Sequence, residues 1–190
     1  DHFEPFVYGQ KAFAFHVALK HKIPLIFYGE NGEVEYSGLL KNVDKPYESP
    51  EDWDYLYYKG SDVAELIASG LDMNLFKKED VKPKSFEFYK APPLGEIKQH
   101  NIQMHWWSYY HKWVPQENFY YAAKHTGLEA NPDGRSEGTY SKYASLDDRF
   151  DGLHYYFGFI KFGIGRATSD AAHEIRDKHI TREEGIALVK

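Results

Sequence analysis

Residues 8–28 read YGQKAFAFHVALKHKIPLIFY, and this stretch decides the fold class. Its first part, from Tyr8 to His21, carries apolar residues at helical spacing with few helix breakers, so it predicts a helix. Its second part, Ile23 to Tyr28, is a short apolar run bounded by a proline and a glycine, which predicts a buried strand. A helix that leads into an apolar strand is half of a βαβ unit and indicates a parallel α/β sheet.

The rest of the chain repeats this pattern nowhere and carries mostly helix signals. A lone edge of a parallel sheet cannot bury itself, so we expect its neighbouring strands to lie outside residues 1–190. The first residue, Asp1, is not a methionine, which also indicates a piece of a longer protein. We therefore expect an α/β fold with one αβ edge unit followed by a mainly helical region. The later signals predict short helices after Ser49 and from Ser61 to Gly70, a strand within 102–110, and helices over 115–124, 145–162 and after Thr181.

Composition excludes several classes of protein. Charged residues make up 27% and hydrophobic residues 42% of the 190 residues, which is the balance of an ordinary globular chain. The formal net charge of −6 argues against general nucleic-acid binding. No apolar run of about 18 residues occurs, so we expect no membrane span. The chain contains no cysteine, which removes thiolate chemistry and fits a cytoplasmic protein.

An acidic segment follows the predicted strand directly. Glu30, Asn31 and Glu33 would lie at the carboxyl end of this strand, where open α/β sheets bind ligands. Carboxylate and amide oxygens are ligands that suit Mg²⁺. The same residues also fit a polar hairpin turn built on Asn31-Gly32.

A second group of polar residues lies towards the carboxyl end of the chain. Lys161 and Arg166 flank the start of a predicted helix, where free N–H groups and the helix dipole favour an anion. They also fit a loop with two solvated cations. Tyr140, Lys142 and Tyr143 follow a glycine-containing loop and could line a polar, substrate-binding pocket.

The histidines and aromatic residues do not indicate a specific site. His173 and His179 do not have the spacing of a zinc-binding helix, so we expect no zinc site. The block from His105 to Trp113 is rich in aromatic rings, which could stack a sugar ring or a nucleobase or simply fill a core.

Three blocks of sequence resemble the N-acetyl sugar amidotransferase family of the PP-loop ATPase superfamily, which acts in lipopolysaccharide O-antigen and related surface-sugar biosynthesis. The blocks are IPLIFYGENGEVEYSG at 23–38, WVPQENFYYAAKHTGLEANPDGRSEGTYSKY at 113–143, and SLDDRFDGLHYYFGFIKFGIGRATSDAAHEIRDKHITREEGIALVK at 145–190. The resemblance extends over nearly the whole chain and is to the carboxyl-terminal part of the family's enzymes.

The resemblance implies a reaction and its partners. Members convert an N-acetyl group of a nucleotide-activated sugar, here a UDP-sugar, to an acetamidino group. ATP with Mg²⁺ activates the amide oxygen, and ammonia from a glutaminase and cyclase pair displaces it. Glu30, Asn31 and Glu33 would match the acidic loop at the ATP site, with Glu30 and Glu33 as Mg²⁺ ligands, and Lys161 and Arg166 would match the late basic motif as catalytic residues.

One feature of the superfamily is absent from this sequence. The phosphate loop Ser-Gly-Gly-x-Asp-Ser does not occur, so we expect no turnover from these 190 residues alone. On this interpretation residues 1–38 are the last helix and strand of the ATP-binding domain, and residues 39–190 are the substrate and assembly region. The alternative hypothesis is a non-catalytic module that binds a sugar nucleotide or docks a partner. An exposed sheet edge would also favour a homodimer.

Overall fold

The computed structural model describes residues 4–35, 38–53 and 62–189. The chain divides into two compact units, Asp1–Lys112 and Trp113–Lys190. The first unit contains a two-stranded parallel sheet with helices, and in the second the described secondary structure is helical. A mixed α/β, mainly helical chain is therefore confirmed. The functional division at residue 38 and the PP-loop fold stay predictions.

The predicted edge unit is present in the first unit. Helix α1 (Glu4–His21) starts earlier than predicted and leads into strand β1 (Leu25–Tyr28), which is two residues shorter than predicted. One face of α1 is buried in the core. Residues three or four positions apart share a face of a helix, and the buried residues of α1 follow this spacing. The ring of Phe15 on this face packs edge-on against Trp53, with 5.2 Å between the ring centroids. The buried residues of this face are Tyr8, Lys11, Ala12, Phe15 and Ala18.

The neighbour of β1 comes from this same chain, which corrects our expectation. Strand β2 (Gln103–Trp106) pairs with β1 in parallel, with Leu25 opposite Gln103 and Tyr28 opposite Trp106. The prediction of a strand within 102–110 is confirmed for its first half, and Trp107–Tyr110 forms a short helix instead. Sequence proximity gave no sign of this pairing, because about 75 residues separate the strands and a parallel pair needs a crossover.

Strand β1 is also less buried than predicted. Its exposure alternates along the strand, and the side chains of Leu25 and Phe27 are 46% and 52% exposed. Phe27 instead contacts the rings of Trp107 and Tyr110 edge-on, at centroid distances of 5.5 and 6.1 Å. One face of this sheet therefore carries a partly exposed aromatic cluster.

The helix predicted from Ser61 to Gly70 exists with different ends. Ser61 itself lies outside the described residues. The helix runs over Val63–Asp72, and Asp62 and Glu65 form its capping box. Gly70 lies inside this helix and does not end it. A Cβ at this position would come within 2.5 Å of the Phe76 ring, so the glycine makes room for the packing of Phe76.

Between β1 and β2 the remaining described elements are short. A helix is formed by Gly32–Glu35 and another by Leu94–Gln99. Single 3-10 turns occupy Leu40–Asn42, Pro50–Asp52 and Lys78–Asp80, and a longer 3-10 segment occupies Pro83–Tyr89.

Four helices form the described part of the second unit. The first begins at Pro115, as predicted, and is ended by Gly127 in the left-handed conformation. The helix predicted from Ser145 begins only at Asp151, because Ser145 has a φ of 52° and the Asp148 carboxylate accepts the Phe150 N–H outside the helix. The four helices are Pro115–Thr126, Asp151–Phe162, Arg166–Arg176 and Arg182–Val189.

The last helix has the predicted cap. The Thr181 hydroxyl accepts the Glu184 N–H at 3.2 Å, and the Glu184 carboxylate accepts the Thr181 N–H at 2.7 Å. Of the helices that the structure describes, none is long and apolar enough to cross a lipid bilayer.

Candidate functional site

Both units contain residues that the sequence predicts for a site. Each group is held by its own elements. The first unit holds Glu30, Asn31 and Glu33, and the second holds Tyr140, Lys142, Tyr143, Lys161 and Arg166.

The acidic segment after β1 is organised around a buried carboxylate. Glu33 is only 4% exposed, and its two oxygens accept the Asn42 side-chain amide at 3.0 Å and the Leu39 N–H at 2.8 Å. The Asn31 side chain accepts the Glu33 N–H at 3.1 Å, as expected at the start of a short helix. Asn31 and Glu33 therefore hold this segment in shape, while Glu30 is exposed to solvent.

Sequence reasoning missed Lys11, which is buried near the carboxyl ends of both strands. Its ammonium group pairs with Glu48 at 3.0 Å and lies over the rings of Tyr28 and Trp106, at 3.9 and 4.4 Å. Burial lowers the pKa of Lys11, and the Glu48 carboxylate opposes this effect. A lysine among the apolar positions of α1 was the available signal, since a buried charge needs a partner.

Metal binding at the acidic segment stays a prediction. Within residues 4–35, 38–53 and 62–189, no three His, Asp or Glu side chains converge in a way that could hold a metal ion. Both oxygens of Glu33 already accept hydrogen bonds, so Glu30 is the carboxylate of the predicted pair that is more open to an ion.

In the second unit, a row of polar side chains runs along the helix Arg166–Arg176. Arg166, Asp170 and Glu174 are four residues apart, so they follow one another along a single helix face. The Arg166 Nε pairs with the Asp170 carboxylate at 2.8 Å. We call these three residues, together with Tyr143, Tyr155 and His179, which contact them, the α-row site.

Tyr155 contacts the Arg166 end of the α-row site. The Arg166 guanidinium lies 5.4 Å from the centroid of the Tyr155 ring. The Tyr155 hydroxyl is 2.6 Å from the Ser145 hydroxyl and 3.5 Å from the Asp151 carboxylate. Burial raises the pKa of Tyr155, so this phenol stays neutral at physiological pH.

Ser145 and Asp151 also line a polar cleft of about 380 Å³. The cleft is therefore joined to the α-row site through the hydroxyl of Tyr155. Its lining residues are Ser136, Glu137, Ser145, Leu146, Asp147, Asp148, Arg149, Asp151 and Gly152.

The other end of the α-row site is centred on Glu174, which is only 6% exposed. The Tyr143 hydroxyl donates towards a Glu174 oxygen at 3.5 Å, and His179 Nδ1 lies 3.0 Å from the other oxygen. Burial and the nearby Glu174 raise the pKa of Tyr143 to about 12, and they also raise the pKa of Tyr140. Of the predicted residues, Tyr143 and Arg166 thus belong to the α-row site, and the Tyr140 ring lies 5.7 Å from the Arg135 guanidinium.

Lys142 and Lys161 are placed differently. Both are exposed. The Lys161 ammonium lies 5.1 Å from the centroid of the Phe162 ring, and the Lys142 carbonyl accepts the Asn131 N–H. Neither makes a described contact with Arg166, Asp170 or Glu174. Their predicted roles stay predictions.

The predicted anion site at the start of this helix is partly occupied by the protein itself. Arg166 pairs with Asp170, and the Ala167 N–H donates to the Gly138 carbonyl at 3.1 Å. The Arg166 side chain nevertheless keeps 45% of its surface exposed, so an anion can still approach it.

Asp170, Glu174 and His179 were missed from the sequence. His179 follows His173 by six residues, which does not match a zinc-binding helix, and nothing in the local sequence predicts a contact between His179 and Glu174. The structure brings the two side chains together because the helix ends at Arg176 and the chain turns back. Glu174 and Ala171 are both buried on this helix, which the sequence alone does not show.

Part of the chain matches a known protein family. No curated protein matches the chain. Residues 137–190 match the model of a family described as "LPS biosynthesis protein WbpG-like, C-terminal domain". This range contains Tyr140, Tyr143, Arg166, Glu174 and His179, so the α-row site lies within the matched residues. The match supports a role in lipopolysaccharide biosynthesis, with residues 137–190 resembling the C-terminal domain of such a protein.

Proposed function

We propose that the chain is the carboxyl-terminal part of an ATP-dependent amidotransferase in lipopolysaccharide O-antigen biosynthesis. The intact enzyme would convert the N-acetyl group of a UDP-activated sugar to an acetamidino group in the cytoplasm. The observation that carries this proposal is the family match over residues 137–190, which coincides with the connected α-row site. The sequence blocks that resemble N-acetyl sugar amidotransferases support the finer assignment.

The chemistry requires activation before ammonia can react. An amide oxygen is a poor leaving group, and transfer of AMP from ATP to this oxygen would convert it to a good one. Arg166 and Lys161 would offset the charge on the phosphates. Glu30, Asn31 and Glu33 would border the ATP site, with Mg²⁺ facing Glu30 rather than the internally bonded Glu33.

Binding of the sugar would fall to residues near Tyr140, Lys142 and Tyr143. Two of these, Tyr140 and Tyr143, are phenols whose pKa values are raised by burial, so Tyr140 can donate a hydrogen bond to a polar ligand, and the Tyr143 oxygen, whose hydrogen is directed to Glu174 or Gln116, can accept one. Ammonia would come from a glutaminase and cyclase pair that docks on the intact enzyme.

The second candidate is a module that binds a sugar nucleotide or docks a partner without chemistry. The absence of Ser-Gly-Gly-x-Asp-Ser from the 190 residues favours it for this chain alone. The partly exposed aromatic cluster of Phe27, Trp107 and Tyr110 also favours it, because such rings can stack on a base or a sugar.

Product analysis separates the two candidates. The intact protein is incubated with ATP, a UDP-N-acetyl sugar and ammonia, and AMP and the amidino sugar are measured by mass spectrometry. We expect both products, and we expect Arg166→Ala and Lys161→Ala each to lower the rate by at least about tenfold, since both would face phosphate charge. Lys124→Ala, an exposed lysine on another helix, is the control. Sugar binding without any AMP would favour the non-catalytic module.

A further inference from the structure

Glu174 and His179 form a carboxylate–histidine pair at the end of the α-row site. The Glu174 side chain is 8% exposed, and its Oε2 lies 3.0 Å from His179 Nδ1. A buried carboxylate paired to one ring nitrogen fixes both the orientation and the tautomer of an imidazole. With Glu174 ionised, Nδ1 must carry the hydrogen, so Nε2 of the neutral ring presents a lone pair.

The Nε2 side of His179 is accessible. Its nearest acidic group is Glu117, at 3.8 Å, which is too long for a hydrogen bond. The Glu117 side chain is 71% exposed and the His179 side chain is 27% exposed, so a reacting group can approach Nε2 when Glu117 turns towards solvent. The pair therefore has an anchored side and an open side.

The surroundings fit a polar substrate with an apolar portion. The Tyr143 hydroxyl directs its one hydrogen towards Glu174 or the Gln116 side-chain oxygen, and because burial raises its pKa to about 12 it stays a neutral group whose oxygen can accept a hydrogen bond. Its ring stacks on Phe119 with 4.6 Å between the centroids. Both rings line an apolar groove of about 250 Å³, which is large enough for the methyl group and ring face of an N-acetyl sugar. The other lining residues are Trp113, Pro115, Asn118, Ala122 and Leu128.

Resting on the proposed amidotransferase function, we propose that His179 is the general base of the amination step and that Glu174 is its positioning residue. The ammonia lone pair forms a C–N bond to the activated acetyl carbon, whose C=N electron pair moves onto the sugar nitrogen. The new –NH₃⁺ group gives a proton to His179 Nε2. The sugar nitrogen then re-forms its double bond to carbon, and the C–O bond breaks with its electrons on the phosphate oxygen of AMP. The imidazolium finally releases its proton to water.

A purely structural role for the pair predicts a different result. The Glu174–His179 contact also closes the end of the helix Arg166–Arg176, where the His179 N–H donates to the Glu174 carbonyl at 3.0 Å. Loss of such a contact would weaken folding and reduce every partial reaction together. A general base acts only after the amide has been activated, so its loss spares the step that needs no ammonia.

The experiment measures these two steps separately in the intact protein. Exchange of labelled pyrophosphate into ATP, with the UDP-N-acetyl sugar and without ammonia, reports activation. Formation of the amidino sugar with ammonia reports the whole reaction. We expect His179→Gln to keep the exchange rate and to lower amidino-sugar formation about 10²- to 10⁴-fold, the usual contribution of general acid–base catalysis. Glu174→Gln should show the same separation with a smaller loss.

A second nucleophile and a matched control sharpen the result. Hydroxylamine loses its proton more readily than ammonia after attack, so His179→Gln should lose less activity with hydroxylamine. His173→Gln changes a histidine on the helix that carries Glu174 and should leave both rates unchanged. Equal losses in exchange and in amidino-sugar formation, in a variant whose thermal unfolding is also shifted, would overturn the proposal. A wild-type protein that shows neither exchange nor AMP would overturn the amidotransferase function itself and this role with it.

Discussion

At the scale of single residues, Lys11 is the buried charge on which the first unit depends. Its partner Glu48 is fully buried on the side chain and also accepts the Trp53 indole N–H at 3.0 Å. We expect Lys11→Met to lower the free energy of unfolding by about 3–5 kcal/mol, because a buried carboxylate then loses its counter-charge. Urea denaturation measures this change.

The matched control is the ion pair of Lys41 and Asp52, whose lysine is exposed. The Lys41 side chain is 61% exposed, so Lys41→Met should cost less than about 1 kcal/mol. The double variant Lys11→Met/Glu48→Gln should recover part of the loss. Equal effects of the two lysine variants would contradict the importance of the buried pair.

Asp52 gives the first unit a defined dependence on pH. Hydrogen bonds from Asn42 and then Lys41 lower the pKa of Asp52 below its usual 3.8. In the pH range between the folded and unfolded pKa values, the unfolded chain binds more protons at this group. The stabilisation is therefore complete above the unfolded value and is lost as pH falls through the folded value. We expect the difference in unfolding free energy between wild type and Asp52→Asn to shrink as pH falls from about 5 to about 2. A difference that stays constant over this range would contradict the assignment.

At the scale of elements, two glycines of the second unit have opposite roles: Gly127 ends a helix, and Gly158 lies inside one. A Cβ at either glycine would point into open space, but Gly127 has a φ of 75° and Gly158 lies inside a helix. Gly127→Ala should destabilise the protein by about 1 kcal/mol, because left-handed backbone is costly with a Cβ. Gly158→Ala should stabilise it by roughly 0.5–1 kcal/mol. Thermal unfolding of both variants checks the opposite signs.

Local sequence signals predicted the ends of helices only where residues next to the helix end determine them. Pro115, Gly127 and the Thr181–Glu184 capping box act through bonds within a few residues, and these ends are confirmed. Ser145 carries an equally good start signal, yet its hydroxyl contacts Tyr155 instead of a helix N–H. Competition from a more distant partner decides such cases, and the local sequence does not contain it.

At the scale of the whole molecule, the exposed aromatic side of β1 predicts self-association. Among the described residues β1 pairs with β2, and the side chain of Phe27 on β1 is half-exposed. We expect the 22.2 kDa chain to sediment as a dimer and Phe27→Lys to sediment as a monomer, because a charged side chain blocks edge pairing. Leu66→Lys, a partly exposed helix position, is the control. A wild-type chain that is monomeric at all concentrations would contradict this prediction.

The candidate site was only partly predictable for the same reason. Tyr140, Tyr143 and Arg166 could be named because loops and helix starts are recognisable places for polar ligands. Glu174 and His179 could not be named, since their contact depends on the burial of Glu174 and on the turn that follows the helix. Periodicity reports which residues share a face, but it does not report what packs against that face.

The sequence by itself determined the mixed α/β class, the helix-to-strand edge unit, the locally capped helix ends and the resemblance to lipopolysaccharide biosynthesis proteins. These follow from hydrophobic periodicity and helix capping, which involve a few neighbouring residues, and from the similarity of whole blocks of sequence. Only the tertiary structure decided that β2 pairs with β1, that Lys11 pairs with Glu48, and that Glu174 holds both Tyr143 and His179. Each of these contacts joins residues whose proximity depends on how the elements between them pack and turn, so the local pattern cannot specify them.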